Sequence, residues 1–334
     1  MVAEPASKLL VVAVLVALAG CSQSGAPSGL HAEATSALAP STASPPASPS
    51  PSQAYPPYYI ESLRRLPHPG GKIEVGTQMF RGDEYTKYHV VWPSQGQVMT
   101  GTISLPDGAG PFPVVIVNHG HIPTSRYWVG QDSGIFGDPM AAHGFISIAP
   151  NYPGYAGSGT LDAAYPDVVA EAVADLDLVS SLNSLPQASA SRVAMIGHSN
   201  GGGVSMLVAV ADPSIKALAL FAPISSDMAD NSRKWWRGAA RGAAPDPDID
   251  GTAYTHMSPR NYFTPSSPPA IFLQGTLDQD IPATWTTATI DALKAKGVDT
   301  LVQWYPGAVH DLVGPNLADA DARAEAWIRS HLSA

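Results

Sequence analysis

Three distant stretches of this 334-residue chain carry the residue types needed to activate an alcohol. They are Gly197-His198-Ser199-Asn200-Gly201, Gly275-Thr276-Leu277-Asp278-Gln279-Asp280 and Pro306-Gly307-Ala308-Val309-His310-Asp311. A serine hydroxyl is a poor nucleophile until a base takes its proton and a carboxylate orients that base. Gly-x-Ser-x-Gly between a strand and a helix puts the serine on a strained turn. The flanking glycines let backbones approach closely there, and the hydroxyl points outward. By itself the motif is common, so its flanks decide. Residues 192–196 read as a short apolar strand and 202–210 as a helix.

The other two groups need elements that carry them to the same place. Residues 269–274 form an apolar run ending at the Asp278 turn, and 300–305 form another that breaks at Pro306-Gly307 before His310. Open parallel sheets present reactive groups at the carboxyl ends of their strands, and the order Ser, Asp, His fits such a sheet. Ser199, Asp278 and His310 are therefore read as nucleophile, orienter and base. Asp280 is the alternative orienter, but Asp278 comes first after its strand. His198 is read as a packed or hydrogen-bonded histidine and Asp311 as a solvated or loop-capping carboxylate. For the oxyanion that develops in acyl transfer, the expected donors are the backbone N–H groups of Asn200 and of His121, in the loop after strand 114–117. His119 and His121 lack a carboxylate or cysteine at ligand spacing, so no metal is assigned.

Around these groups the pattern alternates. A hairpin is expected over 88–92 and 98–105, and strands at 114–117, 146–149 and 217–221. Helices are expected at 137–143, 165–182, 283–295 and 318–331. Strands alternating with helices predict a mostly parallel central sheet flanked by helices. Nearly fifty residues separate the strand ending at Phe221 from Ala270, and this insertion, about 224–268, is read as a cap over Ser199. It contains Arg233-Lys234-Trp235-Trp236-Arg237 and Arg241. Trp235 and Trp236 are read either as substrate contacts or as side chains buried against the body with solvated arginines. Tyr127, Trp128, Tyr152 and Tyr155, on loops expected near the site, are further candidates for a substrate pocket.

With these residues in place, the chain from about Tyr85 onward resembles α/β-hydrolases of the prolyl-oligopeptidase-like and dienelactone-hydrolase-like group. The likeness rests on Pro111-Phe112-Pro113, His119-Gly120 and the run Asn151-Tyr152-Pro153-Gly154-Tyr155. It also rests on the Ser199 motif, Ser258-Pro259-Arg260-Asn261-Tyr262, Gly275 to Pro282, and Gly307 to His310. It implies a serine hydrolase of esters or peptides working without a cofactor. The chain shows neither a propeller-sized region screening peptide substrates nor a His-Gly-Gly-Gly loop. A small-molecule or polymeric ester is therefore the expected substrate. A peptidase or amidase with the same triad is the first alternative, and a non-catalytic surface lipoprotein keeping the fold is the second.

The N-terminus is different in kind. Lys8 precedes an apolar run over residues 9–19, and the segment 1–21 closes on Leu18-Ala19-Gly20-Cys21. The run is short for a membrane span, since about 20 apolar residues are needed, and suits a secretory signal. The closing four residues resemble a bacterial lipoprotein signal. Export to the cell envelope with a lipid anchor at Cys21 is expected, a soluble secreted form being the alternative. Residues 22–57, rich in Ala, Ser and Pro, read as a disordered tether, and 58–334 as the catalytic domain. Cys21 is the only cysteine, so an exported chain relies on its core and not on disulfides. With 18 Lys plus Arg against 28 Asp plus Glu and a net charge of −10, a nucleic-acid partner is disfavoured. Residues 246–251 mimic the start of a calcium loop, but Met257 stands where the closing glutamate belongs, so an acidic surface turn is preferred.

Overall fold

The computed structural model describes residues 55–236 and 252–333. Cys21 and its signal-type segment, the tether up to residue 54, the acidic turn at 246–251, Arg237 and Arg241 lie outside the described residues. Among the described residues no helix is long and apolar enough to cross a membrane.

The chain starts with a one-turn helix, α1 (Ile60–Leu63), and three strands, β1 (Glu74–Arg81), β2 (Tyr85–Ser94) and β3 (Gln97–Pro106). The alternation follows: β4 (Phe112–Asn118), α2 (Ser133–Ala142), β5 (Ile146–Pro150), α3 (Asp167–Ser181), β6 (Ala188–His198), α4 (Asn200–Ala211) and β7 (Ile215–Phe221). Two short helices, α5 (Met228–Asn231) and α6 (Thr252–Met257), occupy the insertion. The chain closes with β8 (Ala270–Gly275), α7 (Ala283–Lys294), β9 (Thr300–Tyr305) and α8 (Pro315–Leu332). All nine strands form one sheet in the order β1-β2-β3-β5-β4-β6-β7-β8-β9. Pairing is antiparallel from β1 to β5 and parallel from there to β9.

The hairpin is longer than its apolar core suggested because Gln95 and Gly96, both at positive φ, close a two-residue turn that keeps Ser94 paired with Gln97. Strand β1 has no counterpart in the sequence reading. Its residues are all exposed, so no buried face imposes an alternation.

The parallel strands inside the sheet, β5, β4, β6, β7 and β8, are buried on both faces, and their side chains divide with period two. Val114 and Ile116 of β4, Val193 and Met195 of β6, and Leu218 and Leu220 of β7 enter one core together with α3 and α4. Val115, Val117, Ala194, Ile196, Ala217 and Ala219 enter the other, against Phe136 and Met140 of α2 and the stripe Ala320, Ala324, Ile328 and Leu332 of α8. That four-residue spacing makes α8 a one-sided helix facing the sheet. The crossover connections leave β4 toward β5 on one side and β6 on the other. This reversal of winding opens a crevice at the carboxyl ends of β4 and β6.

The described part of the insertion packs on the body through polar anchors. Ser226 Oγ lies 2.8 Å from Thr289 Oγ1, and His256 is bonded to Glu61 (2.8 Å) and stacked on Tyr59, while within the insertion the Tyr254 hydroxyl donates to Ser232 Oγ (2.6 Å).

Helix α3 carries acidic residues into the core on two different terms. Asp177 is bonded by His68 (2.7 Å), Ser94 Oγ (2.7 Å) and Gln95 (3.0 Å). Asp175 is fully buried, and neither carboxylate oxygen has a hydrogen-bond partner among the described residues. Burial raises its pKa to about 7, offset only in part by the Asn118 amide nearby. A carboxylic acid with a folded pKa above its unfolded value stabilises below pH 4, and that contribution is lost as pH rises toward 7. The swing is on the order of 4 kcal/mol. Asp175→Asn is therefore expected to gain at least about 1 kcal/mol in urea unfolding at pH 8 and close to nothing at pH 4. Equal effects at the two pH values would contradict this account.

Candidate active site

Ser199 sits between the last residue of β6 and the first of α4 with φ 52° and ψ −115°. A non-glycine residue there is strained by about 1–3 kcal/mol and persists only where its surroundings hold it. They do so on both sides. The Ser199 N–H donates to the Phe221 carbonyl (2.9 Å), and its own carbonyl accepts from Gly202 (3.0 Å) and Ile224 (3.0 Å). The two glycines of the motif have steric reasons. A Cβ on Gly201 would lie 2.5 Å from the Asn118 carbonyl carbon and 2.7 Å from the His119 oxygen, and one on Gly197 would lie 2.7 Å from the Gly201 carbonyl carbon. Both are closer than real Cβ atoms come.

Asp278 follows β8 in a tight turn, its side chain only 1% exposed. One oxygen accepts the backbone N–H groups of Asp280 (2.9 Å) and Ile281 (2.8 Å), and the other lies 2.9 Å from His310 Nδ1. Burial alone would raise this carboxyl. His310 and the two backbone donors outweigh burial and hold the pKa below the usual carboxylate value, so Asp278 is ionised when His310 is oriented. Asp280 contributes its N–H to the turn, and it is Asp278 that the imidazole meets. The loop bearing His310 is docked on the Asp278 turn by Leu277 N–H to the Ala308 carbonyl (2.9 Å).

A second imidazole and carboxylate face the first pair. His198 Nδ1 is 2.9 Å from Asp132 Oδ2, and His198 Nε2 is 3.5 Å from Asp311 Oδ1. Its ring centroid lies 5.0 Å from that of His310. Burial would lower the His198 pKa, but the attraction of Asp132 and Asp311 more than reverses this and raises it. Asp132 also accepts the Gly120 N–H (2.7 Å), which leaves His121 as the next amide along that loop. Sequence reading assigned Asp132 nothing, because its partner is 66 residues away and no spacing rule links them.

Ser199, His310, His198, Asp132 and Asp311 share the wall of one cavity of about 580 Å³. Its remaining lining is largely apolar: Ile135, Phe136, Phe221, Leu312 and Leu317, with Ile122, Trp128 and Val313. His121 also lines it, and Asn200 opens α4 with its side-chain amide donating to Glu171 (2.7 Å). Trp128 also lines the cavity and is 64% exposed.

Tyr127, Tyr152 and Tyr155 require correction. None lines this cavity; they enclose His119, whose ring centroid is 4.7, 4.0 and 5.4 Å from theirs. Their hydroxyls are spent on structure, Tyr152 on the His119 carbonyl (2.9 Å), Tyr155 on the Ile122 carbonyl (2.9 Å) and Tyr127 on Asn151 (2.7 Å). Burial lowers the His119 pKa to about 4, so at neutral pH the loop after β4 is propped by an uncharged aromatic cluster. Trp235 is also corrected: it is half-buried, packed edge-on against Trp285 (5.5 Å), with Lys234 over both rings and bonded to the Gln279 and Asp280 carbonyls. The side chain of Trp236 and residues 237–251, on which the cap reading turns, lie outside the described residues.

An imidazole oriented by a buried carboxylate, beside a serine on an open elbow, is equipped to move a proton on and off an alcohol oxygen. A model of the prolyl oligopeptidase family matches residues 138–334. Solved structures share the fold. An acetyl xylan esterase from a Paenibacillus species has a TM-score of 0.60 at 18% identity, with 81% of this chain and 92% of that one covered. Acetyl xylan esterase 1 from a Thermoanaerobacterium species has 0.59 at 17%, with 80% and 90% covered. Dipeptidyl peptidase 4 from Porphyromonas gingivalis has 0.58 at 17%, where the match spans 74% of this chain and 36% of the peptidase. No curated protein sequence matches the chain.

The elbow geometry makes opposite predictions at neighbouring positions. Gly201→Ala must displace backbone atoms and is expected to lose at least about 2 kcal/mol in urea unfolding. Ser199→Gly removes a Cβ from a left-handed position and is expected to gain about 1 kcal/mol. A stable Gly201→Ala protein, or a destabilised Ser199→Gly protein, would contradict the strain described here.

Proposed function

The chain belongs to the prolyl oligopeptidase family and is a serine hydrolase, and from that premise we propose that it cleaves carboxylic esters through an acyl-enzyme on Ser199. The observation that supports this reading is that the strained Ser199 elbow and the Asp278-oriented His310 line the same largely apolar cavity.

In the proposed cycle His310 Nε2 takes the Ser199 hydroxyl proton as Oγ attacks the ester carbonyl carbon. The tetrahedral oxyanion is received by the backbone N–H groups of Asn200 and His121. Its collapse breaks the bond to the alcohol oxygen, which leaves with the proton from His310. Water, deprotonated by the same imidazole, then attacks the acyl-enzyme and restores Ser199. Asp278 keeps the imidazole in the tautomer with Nδ1 protonated and stabilises it when charged. The apolar lining suits an acyl or alcohol part without charge, and two structural neighbours named as esterases are matched over 90% or more of their length. A peptidase using the same residues is the second reading, favoured by the family's name and by the dipeptidyl peptidase match.

Ser199→Ala is expected to fold and to lose about 10⁶-fold of turnover on p-nitrophenyl acetate, and Asp278→Asn about 10⁴-fold. Undiminished turnover in Ser199→Ala would end the proposal. Faster cleavage of aminoacyl p-nitroanilides than of the acetate ester would replace ester by amide as the substrate.

The run closing on Leu18-Ala19-Gly20-Cys21 supports a further proposal, that the chain is exported and held at a membrane by a lipid on Cys21. In a bacterial host Cys21→Ser should move the protein from the membrane fraction to the soluble one and abolish labelling by a fatty-acid probe. Unchanged fractionation would exclude the anchor.

A further inference from the structure

The cavity holds more imidazole and carboxylate than acyl transfer uses. His198 and His310 stand with ring centroids 5.0 Å apart, and Asp311 Oδ1 is 3.5 Å from His198 Nε2. One ring nitrogen from each histidine and a carboxylate oxygen of Asp311 all lie within 4.8 Å of one another. Each histidine has its Nδ1 already bonded to a carboxylate of its own, His198 to Asp132 at 2.9 Å and His310 to Asp278 at 2.9 Å. Metal-binding histidines show this outer arrangement, in which a carboxylate on one nitrogen fixes the ring and enriches the lone pair on the other. With both Nδ1 atoms engaged, the two Nε2 atoms are the ligand positions that remain, beside an aspartate.

We propose that His198, His310 and Asp311 form an inhibitory site for a divalent transition metal, Zn²⁺ by preference. Two imidazoles and one carboxylate, with water in the fourth position, make a tetrahedral donor set of the kind zinc accepts. Metal–ligand distances of about 2.0–2.2 Å place ligand atoms about 3.3 Å apart, so the group must contract from its present spread. Asp311, its side chain 76% exposed, can supply part of that movement, and the two rings supply the rest by tilting about their Nδ1–carboxylate hydrogen bonds. Asp132, Asp278 and Asp311 around two imidazoles also give the site a cation-attracting balance. Bound metal would occupy the His310 lone pair that must accept the Ser199 proton, and hydrolysis would stop without any change of fold.

The inhibitory consequence rests on the role given to His310 above, whereas the binding site does not, and the test separates them. The tag-free full chain carrying Ser199→Ala, which cannot turn over, is titrated with Co²⁺ as a spectroscopic stand-in for Zn²⁺, and the visible absorption of the bound ion is read. The expected result is a saturable band at one equivalent, displaced by Zn²⁺, with affinity lowered about tenfold or more by the additional Asp311→Ala. In the wild-type chain, Zn²⁺ is expected to inhibit p-nitrophenyl acetate turnover, reversibly by EDTA, and Asp311→Ala to shift the inhibitory concentration upward by the same factor. Absence of a one-equivalent band, a loss of less than tenfold on removing Asp311, or Zn²⁺ binding without inhibition of an active wild type would each overturn the proposal. A Co²⁺ site in a wild type that hydrolyses nothing would retain the metal site and remove the hydrolase reading.

Discussion

The backbone of Ser199 is the constraint from which the rest of the site follows. An L-residue at φ 52° costs energy, and the fold holds it with three backbone hydrogen bonds, one to β7, one from the first turn of α4 and one from the segment after β7. Those bonds exist only because β6 and β7 are in register through His198 and Phe221. The absence of Cβ atoms at Gly197 and Gly201 lets β6, α4 and the end of β4 come together at that point. The strain is thus a local cost supported by a large, two-faced core.

Around the elbow, charge is organised in pairs. Asp278 holds His310, and Asp132 holds His198, each at 2.9 Å, and both imidazoles line the cavity. The two pairs differ in what else the carboxylate does. Asp278 is fixed by backbone N–H groups of its own turn, so it belongs to the β8 end of the sheet. Asp132 accepts the Gly120 N–H and therefore ties the loop after β4 to the elbow. The same loop is propped from behind by the neutral His119 and its ring of tyrosines. Polar groups on one side and aromatic packing on the other give the His121 segment a defined position.

Much of this was legible in the chain before any coordinates. The inner parallel strands are short apolar runs buried on both faces, and such runs announce themselves. The helices of the alternation follow from their apolar spacing, with ends displaced by a few residues. Strand β1 was not legible, since an edge strand exposed along its length carries no alternation. The tyrosines at 127, 152 and 155 were assigned to the pocket because loops at the carboxyl ends of strands usually line it. Their hydroxyls instead satisfy backbone carbonyls and an asparagine behind the loop, a choice that depends on which side of the loop each ring falls.

The sequence by itself determined the kind of sheet, the position of the elbow and the order in which serine, aspartate and histidine are delivered to strand ends. Hydrophobic period, glycine placement and turn residues are local properties, so they can be read locally. Only the tertiary structure decided that Asp132 faces His198, that Asp311 leans toward the same imidazole, and that among the described residues Asp175 is buried with only the Asn118 amide near it while Asp177, two residues on, has three hydrogen-bond partners. Those outcomes depend on distances between segments tens of residues apart. Burial and electrostatic pairing act through space, and the chain's linear order does not record them.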